Sequence, residues 1–106
     1  METSRLEMLK AMLQTDPDDP VLYYMLANEY MKLEQYPEVV EHLQTYLRLQ
    51  EDEGAAYRLL GEALRRLGRI EEARRAYQEG IQTALKHNHP SMAEEFQESL
   101  RDLEGA

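Results

Sequence analysis

The side chains of this sequence best suited to bind a metal ion are its three histidines and the acidic stretch at residues 16–19. His87 and His89 stand two residues apart, whereas His42 lies far from them in the chain. Two neighbouring ligands without a positioned third make a poor zinc site. The acidic stretch lacks the spacing of a calcium-binding loop and its closing glutamate. We therefore expect no metal site. We interpret the acidic stretch as helix caps and His87 as a residue that complements a helix dipole.

Residue sets for covalent or acid–base catalysis are not apparent either. The 106-residue chain contains no cysteine, which excludes disulfides, zinc–thiolate sites and cysteine nucleophiles. It has no glycine-rich phosphate loop, no Ser-His-Asp set and no isolated carboxylate pair in an apolar setting. The sequence predicts a protein that is not an enzyme and that needs no cofactor.

Arginine is the residue type with the most distinctive placement. Six of the nine arginines fall between Arg58 and Arg75. Residues 1–53 hold 4 basic and 12 acidic residues (net −8), whereas residues 54–106 hold 8 and 9 (net −1). A guanidinium suits planar, two-point recognition of carboxylates. The total formal charge of −9 argues against nucleic-acid partners, which require phosphate neutralisation, and against anionic membranes.

The arginine-rich region has the spacing of two helices joined by a tight corner. In its first half, apolar or small residues recur at steps of three and four, which is one stripe of a helix: Tyr57, Leu60, Gly61, Leu64 and Leu67. Gly68 then supplies the left-handed residue that a helix end favours. The second half has its own stripe: Ala73, Tyr77, Gly80, Ile81, Ala84 and Leu85.

The same pattern occurs 34 residues earlier. The equivalents of the first stripe keep its size and polarity: Tyr23, Leu26, Ala27, Tyr30 and Leu33. In the second helix, Ala73 aligns with Val39 and Tyr77 with Leu43. Neither helix of such a unit can bury its stripe alone, and repetition at this interval indicates a helical solenoid.

On these residues the chain resembles the tetratricopeptide repeat family. The family motif runs over 34 residues through an aromatic, Leu-Gly/Ala and Tyr, then Ala, an aromatic, Ala and Pro. The first-helix half matches well in both repeats, whereas Tyr46 stands where Ala is usual, and Glu51 and Leu85 stand where the closing Pro is expected. The resemblance implies an all-α fold, a right-handed α-solenoid of antiparallel helix pairs with about six helices.

We interpret residues 1–106 as a single domain of this type. Repeat 1 covers 20–53 and repeat 2 covers 54–87, between an amino-terminal capping helix at 4–15 and a carboxyl-terminal capping helix at 90–103. Capping boxes are predicted at the starts of the two capping helices, at Ser4 with Glu7 and at Ser91 with Glu94. Asp19 and Pro20 have the pattern of an N-cap and first helical residue.

No run of apolar residues approaches the ~20 that a bilayer span needs. The first residues, METSRLEMLK, lack the basic region and apolar run of a signal peptide. We therefore expect a cytoplasmic protein.

The family resemblance also implies a function. In that family the first helix of each repeat lines a concave groove, which commonly binds an extended peptide of another protein. The residues that we expect to contact such a peptide lie on the outward stripe: Tyr24, Asn28, Met31, Arg58 and Arg65. The arginines favour an acidic or carboxyl-terminal segment. The hypothesis is a small adaptor that mediates protein–protein interaction.

Asn28 aligns with one of the asparagines that clamp a terminal carboxylate in chaperone-binding members of the family. Tyr24 stands where a lysine is expected in that clamp, and Leu59 where a second asparagine is expected. We therefore do not expect a chaperone-tail clamp.

Two alternatives remain open at this stage. Arg58, Glu62 and Arg66 stand at steps of four and would equally form pairs along a solvated helix, and Tyr24 and Met31 would equally pack against the end helices. The second alternative is a self-assembling, homo-oligomeric scaffold with no separate peptide ligand. In that case exposed apolar residues of the end helices would pack against another copy: Met8, Met12, Met92 or Phe96.

Overall fold

The computed structural model describes residues 4–105, which form six α-helices and no β-strand. In chain order the helices are α1 (Arg5–Thr15), α2 (Pro20–Lys32), α3 (Tyr36–Leu49), α4 (Ala55–Arg66), α5 (Ile70–Lys86) and α6 (Pro90–Glu104). The all-α fold class predicted from the sequence is confirmed. Within residues 4–105, no helix combines the length and the apolar character that crossing a membrane requires.

The chain divides into two compact units between Glu51 and Asp52. The amino-terminal unit contains α1, α2 and α3, and α2 packs against both of its neighbours. The carboxyl-terminal unit contains α4, α5 and α6, and α5 packs against both of its neighbours.

Three of the corners between helices share one backbone geometry. Each contains a residue with positive φ: Glu34 (56°), Gly68 (74°) and Asn88 (65°). The next residue donates its N–H to the carbonyl oxygen five residues earlier, a Schellman-type closure: Gln35 to Tyr30 (3.0 Å), Arg69 to Leu64 (2.9 Å) and His89 to Ala84 (2.7 Å). The role predicted for Gly68 is confirmed. Because these corners are so short, the helices that they join run antiparallel.

Two of the predicted helix starts are confirmed, and a third is wrong. Ser4 Oγ accepts a hydrogen bond from the Glu7 N–H at 3.1 Å, and Asp19 Oδ1 accepts one from Val21 at 3.0 Å. Ser91 does not cap α6, because the helix begins one residue earlier, at Pro90, with no side-chain cap. Proline is favoured at the first helical position because no helical bond needs its missing N–H.

The cores of the two units contain most of the residues that the stripes placed inward. Leu26, Ala27, Val39 and Leu43 are fully buried in the amino-terminal unit. Their counterparts in the carboxyl-terminal unit are also buried: Leu60, Gly61, Leu64, Ala73 and Tyr77.

Two predicted core residues are exposed instead. Leu33 is 54% exposed and lies just after the last residue of α2, where the packed helix has already ended. Leu85 is 58% exposed. At 100° per residue it falls on the flank of the stripe formed by Ala73, Tyr77 and Ala84. The buried stripe of α5 is therefore narrower than the sequence pattern indicated.

Candidate functional site

The candidate residues of the amino-terminal unit lie together on one partly exposed stripe of α2. Tyr24, Asn28 and Met31 are each neither buried nor fully exposed. The ring of Tyr24 packs against the buried ring of Tyr46 on α3, with centroids 5.1 Å apart and planes at 50°. Asn28 Nδ2 donates to the backbone carbonyl of Tyr24 at 2.9 Å. This surface thus offers an aromatic ring held by its neighbour, an amide and a thioether.

The large side chain of Tyr46, an outlier against the family motif, explains the position of Tyr24. Tyr46 is only 6% exposed and supports one face of the Tyr24 ring. Tilted aromatic pairs at such distances contribute roughly 0.5–1.5 kcal/mol beyond the area that they bury. A ring fixed in this way loses little conformational entropy when a ligand binds to its free edge.

In the carboxyl-terminal unit, Arg58 and Arg65 lie on the exposed side of α4. Arg58 forms an ion pair with Glu95 of α6, and both side chains remain more than half exposed. Arg65 forms a two-point contact with Glu62, in which Nε donates to Oε2 (3.2 Å) and Nη2 donates to Oε1 (3.0 Å). Glu62 also accepts a hydrogen bond from Arg66 Nε at 3.0 Å. Pairing along the helix therefore includes Arg65 and Arg66, whereas Arg58 bridges to another helix.

These contacts change the protonation equilibria of α4. Partial burial by itself would raise the pKa of Glu62, but hydrogen bonds from Arg66 and then Arg65 outweigh it and hold that pKa below its ordinary value. The same bond to Glu62 raises the pKa of Arg65. Burial raises the pKa of the neighbouring Tyr77 hydroxyl. At neutral pH the Glu62–Arg65–Arg66 cluster is therefore fully ionised.

The two candidate cations thus have internal carboxylate partners, but these partners hold them weakly. Exposed ion pairs contribute about 0–1 kcal/mol each, because water screens them and ordering two long side chains costs entropy. A carboxylate of an incoming ligand could replace Glu95 or share the Arg65 guanidinium at small cost. Neither arginine is removed from solvent by its present contact.

The histidines of the carboxyl-terminal unit surround a glutamate that the sequence did not single out. Glu53 Oε1 lies 3.3 Å from His89 Nε2 and 3.8 Å from His87 Nδ1. The contact ties the segment before α4 to the corner between α5 and α6. Across residues 4–105, no group of three or more His, Asp or Glu side chains is arranged to hold a metal ion.

A second feature missed by the sequence reasoning is a pocket in the amino-terminal unit. It has a volume of about 400 Å³, and its walls include Tyr23, Tyr30 and His42. The repeat pattern places both tyrosines on the inward stripe of α2, and His42 stood out only as a possible metal ligand. The one sequence feature that could have indicated the pocket is the spacing of Tyr23 and Tyr30. These residues stand about two helical turns apart and so share one face of α2.

The repeated pairs, with their matching corners, correspond to a known family. The tetratricopeptide repeat family model matches residues 24–93. The chain belongs to the tetratricopeptide repeat family. It is 30% identical over 101 residues to a TPR repeat-containing protein of Pseudomonas aeruginosa, and the match covers 95% of this chain and 96% of that protein.

Solved structures show the same TPR architecture. The solution structure of a protein from Bordetella parapertussis has a TM-score of 0.82 and 28% identity, covering 96% of this chain and 89% of that one. The solution NMR structure of a tetratricopeptide repeat domain protein from Salinibacter ruber has a TM-score of 0.74 and 28% identity, covering 85% and 91%.

The candidate residues lie on two helices, with Tyr24, Asn28 and Met31 on α2 and Arg58 and Arg65 on α4. A TPR fold is that of a protein–protein interaction module, and TPR modules are generally non-catalytic.

Proposed function

We propose that this TPR protein is a non-catalytic adaptor that binds peptide segments of a partner protein, and that each unit offers its own face: the outward stripe of α2 in the amino-terminal unit and that of α4 in the carboxyl-terminal unit. The observation that supports this most is the partly exposed stripe formed by Tyr24, Asn28 and Met31 on α2. It combines a tyrosine with a methionine, two residue types that are enriched at protein–protein interfaces. Within the TPR family, first helices are where such a surface is expected.

The two faces suit different groups of a partner: carboxylates suit the α4 face, and an apolar side chain suits the α2 face. Arg58 and Arg65 provide cations that keep more than two fifths of their side chains exposed, and guanidinium groups bind carboxylates at two points. The apolar side chain would pack on Tyr24 and Met31. We infer that an acidic segment or a chain terminus is the ligand class.

Site-specific photocrosslinking tests the assignment before any partner has been identified. A benzoylphenylalanine at Met31 should crosslink to a partner protein in the native host, and mass spectrometry would then identify the linked peptide. The matched control places the same crosslinker at Glu41, an exposed residue of α3. Equal crosslinking from positions 31 and 41 would reject the α2 face as the contact.

The identified peptide then tests the role of the two arginines. The double substitution Arg58→Gln with Arg65→Gln should weaken binding at least tenfold and leave the helical circular dichroism unchanged. Arg75→Gln with Arg101→Gln is the control, because it changes net charge equally at exposed positions of α5 and α6. Equal weakening by both pairs would show a general charge effect rather than a site.

Self-assembly is the second candidate, and one observation favours it. Met8 and Met12 lie one turn apart on α1 and are 53% and 52% exposed. Phe96, which the sequence offered for such a contact, is buried against Tyr77. Light scattering across a concentration series would detect a homo-oligomer. Met8→Gln with Met12→Gln should then return it to the monomer.

A further inference from the structure

The pocket of the amino-terminal unit is lined by three helices and combines aromatic faces with one cation. Lys10 and Gln14 come from α1, Tyr23 and Tyr30 from α2, and His42 from α3. Its volume of about 400 Å³ falls in the range of small-molecule sites, roughly 300–1,000 Å³. Most of the wall is apolar.

The aromatic walls are held in place by backbone contacts. The Tyr23 hydroxyl donates to the Pro17 carbonyl oxygen at 2.7 Å. His42 Nδ1 lies 2.7 Å from the Glu38 carbonyl oxygen. Because a carbonyl can only accept, Nδ1 is the donor in this contact. The imidazole then lies 5.2 Å from the Tyr30 ring and 6.1 Å from the Tyr23 ring. A ligand ring would therefore meet a preformed site, which reduces the entropy lost on binding.

The charge at this pocket differs from that of the sequence around it. Residues 1–53 hold 12 acidic and 4 basic residues, yet the residues lining the pocket include Lys10 and no carboxylate. The Lys10 ammonium lies 5.8 Å from the centroid of the Tyr30 ring, where it already occupies the position that a cationic ligand would take. The pocket is therefore matched to an anion and not to a second cation.

We propose that this pocket binds a compact aromatic carboxylate. The ligand ring would lie against Tyr23 and His42, which are both partly exposed, whereas Tyr30 is only 6% exposed. The ligand carboxylate would accept a hydrogen bond from Lys10 Nζ at the edge. Such a group could be a free aromatic acid or the carboxyl-terminal aromatic residue of a peptide. Binding here does not depend on the adaptor function, because Tyr23 and Tyr30 lie on a different stripe of α2 from Tyr24 and Met31.

Titration of the isotope-labelled full chain with phenylacetate, followed by ¹H–¹⁵N correlation spectra, tests the site. We expect saturable shifts confined to residues around the pocket, with a Kd of about 1 mM for a ligand of this size. Phenylacetamide, which has the same shape without the charge, should bind at least fivefold more weakly. Absence of saturable shifts, or equal affinity for the acid and the amide, would overturn the proposal.

Two lysine variants identify the cation. Lys10→Met should lower the affinity for phenylacetate about fivefold and leave the affinity for phenylacetamide unchanged, which also shows that the pocket is intact. Lys32→Met is the matched control, because Lys32 pairs with Glu29 outside the pocket and should have no effect. Equal effects of the two substitutions would contradict a role for Lys10.

A peptide distinguishes the two sources of the carboxylate. Acetyl-Gly-Gly-Phe with a free terminus would bind more tightly than phenylacetate if the natural ligand is a chain end, because the peptide backbone adds contacts. Weaker binding of the peptide would assign the pocket to a free acid. Failure of the peptide and the acid alike would refute the site, whatever the crosslinking at Met31 shows.

Discussion

The ring of Tyr77 on α5 lies directly against the backbone of Gly61 on α4. A Cβ atom at position 61 would stand 2.7 Å from Tyr77 Cζ, closer than real Cβ contacts come. Phe96 of α6 has the same relation to Gly80 of α5, with a Cβ-to-Cζ distance of 2.7 Å. In both pairs the aromatic residue follows its glycine by 16 positions. Because glycine has no side chain, Gly61 lets α5 approach α4 closely, and Gly80 lets α6 approach α5 closely.

Gly61→Ala is expected to lower the free energy of unfolding. When Tyr77 is replaced by leucine, the same substitution should raise it. Alanine gains about 1 kcal/mol over glycine in a helix, but overpacking against a fixed ring costs about 1–3 kcal/mol. Repeat 1 lacks this pair of glycine and ring, because Ala27 and Leu43 occupy the equivalent positions. In a Tyr77→Leu background, Gly61→Ala should therefore stabilise. Urea unfolding of the four proteins measures the coupling, and stabilisation by Gly61→Ala in both backgrounds would contradict this packing.

Glu34→Gly should stabilise the chain by about 0.5–1 kcal/mol. Glu34 adopts a left-handed conformation at the corner between α2 and α3, where its repeat equivalent is Gly68. A side chain in this conformation costs roughly 1–2 kcal/mol, and the greater freedom of glycine in the unfolded chain offsets part of that gain. Gly68→Ala should destabilise by about 1 kcal/mol, and Glu41→Gly inside α3 should destabilise by a similar amount. If Glu34→Gly lowered the thermal midpoint, the corner geometry would be wrong.

Glu62 should make stability depend on pH in the acidic range. Because the folded state lowers the pKa of Glu62, its contribution is fully present above the ordinary carboxyl pKa of about 4.3 and is lost as pH falls through the folded value. The free-energy difference between the wild type and Glu62→Gln should be largest near pH 6 and should shrink as the pH falls below the ordinary carboxyl pKa. Its size should stay under about 1 kcal/mol, because the paired Arg65 and Arg66 are about half exposed and water screens the contact. High salt should shrink it at pH 6, and a difference that grew towards pH 3 would contradict the assigned contacts.

Glu95→Gln should strengthen the binding of an acidic partner peptide about two- to fivefold. The substitution removes the carboxylate that pairs with Arg58, so the ligand no longer competes for that cation. Glu94→Gln is the matched control: it lies one residue earlier, is exposed, and forms no ion pair within residues 4–105. Isothermal titration calorimetry with the peptide identified by crosslinking measures its affinity for each of the two variants. Equal gains from the two substitutions would mean that net charge, and not Arg58, governs binding.

Much of the fold could be predicted because the signals are local. The 34-residue recurrence identified both helix pairs, and Gly68 and Asp19 marked a corner and a helix start correctly. Local signals failed where two of them competed: Ser91 has the residue type of a cap, but Pro90 begins the helix before it. The exposure of Leu85 shows the same limit, since periodicity does not measure how wide a buried stripe is.

The candidate site could be predicted only to the level of helix faces. Spacing along α2 and α4 indicated which residues point away from the core, and those residues are indeed outside it. It did not indicate that Arg58 would pair with Glu95, 37 positions away, or that Glu53 would lie between His87 and His89. It also did not show that Tyr23, Tyr30 and His42 would form one pocket with Lys10.

The sequence by itself determined the helices, their pairing and the faces that each pair must bury, because these depend on residues a few positions apart and on a period repeated along the chain. Tertiary structure decided which charged and aromatic side chains meet across helices. Such contacts depend on the rotation and axial offset of neighbouring helices. Close packing, such as that of Tyr77 against Gly61, sets this rotation and offset.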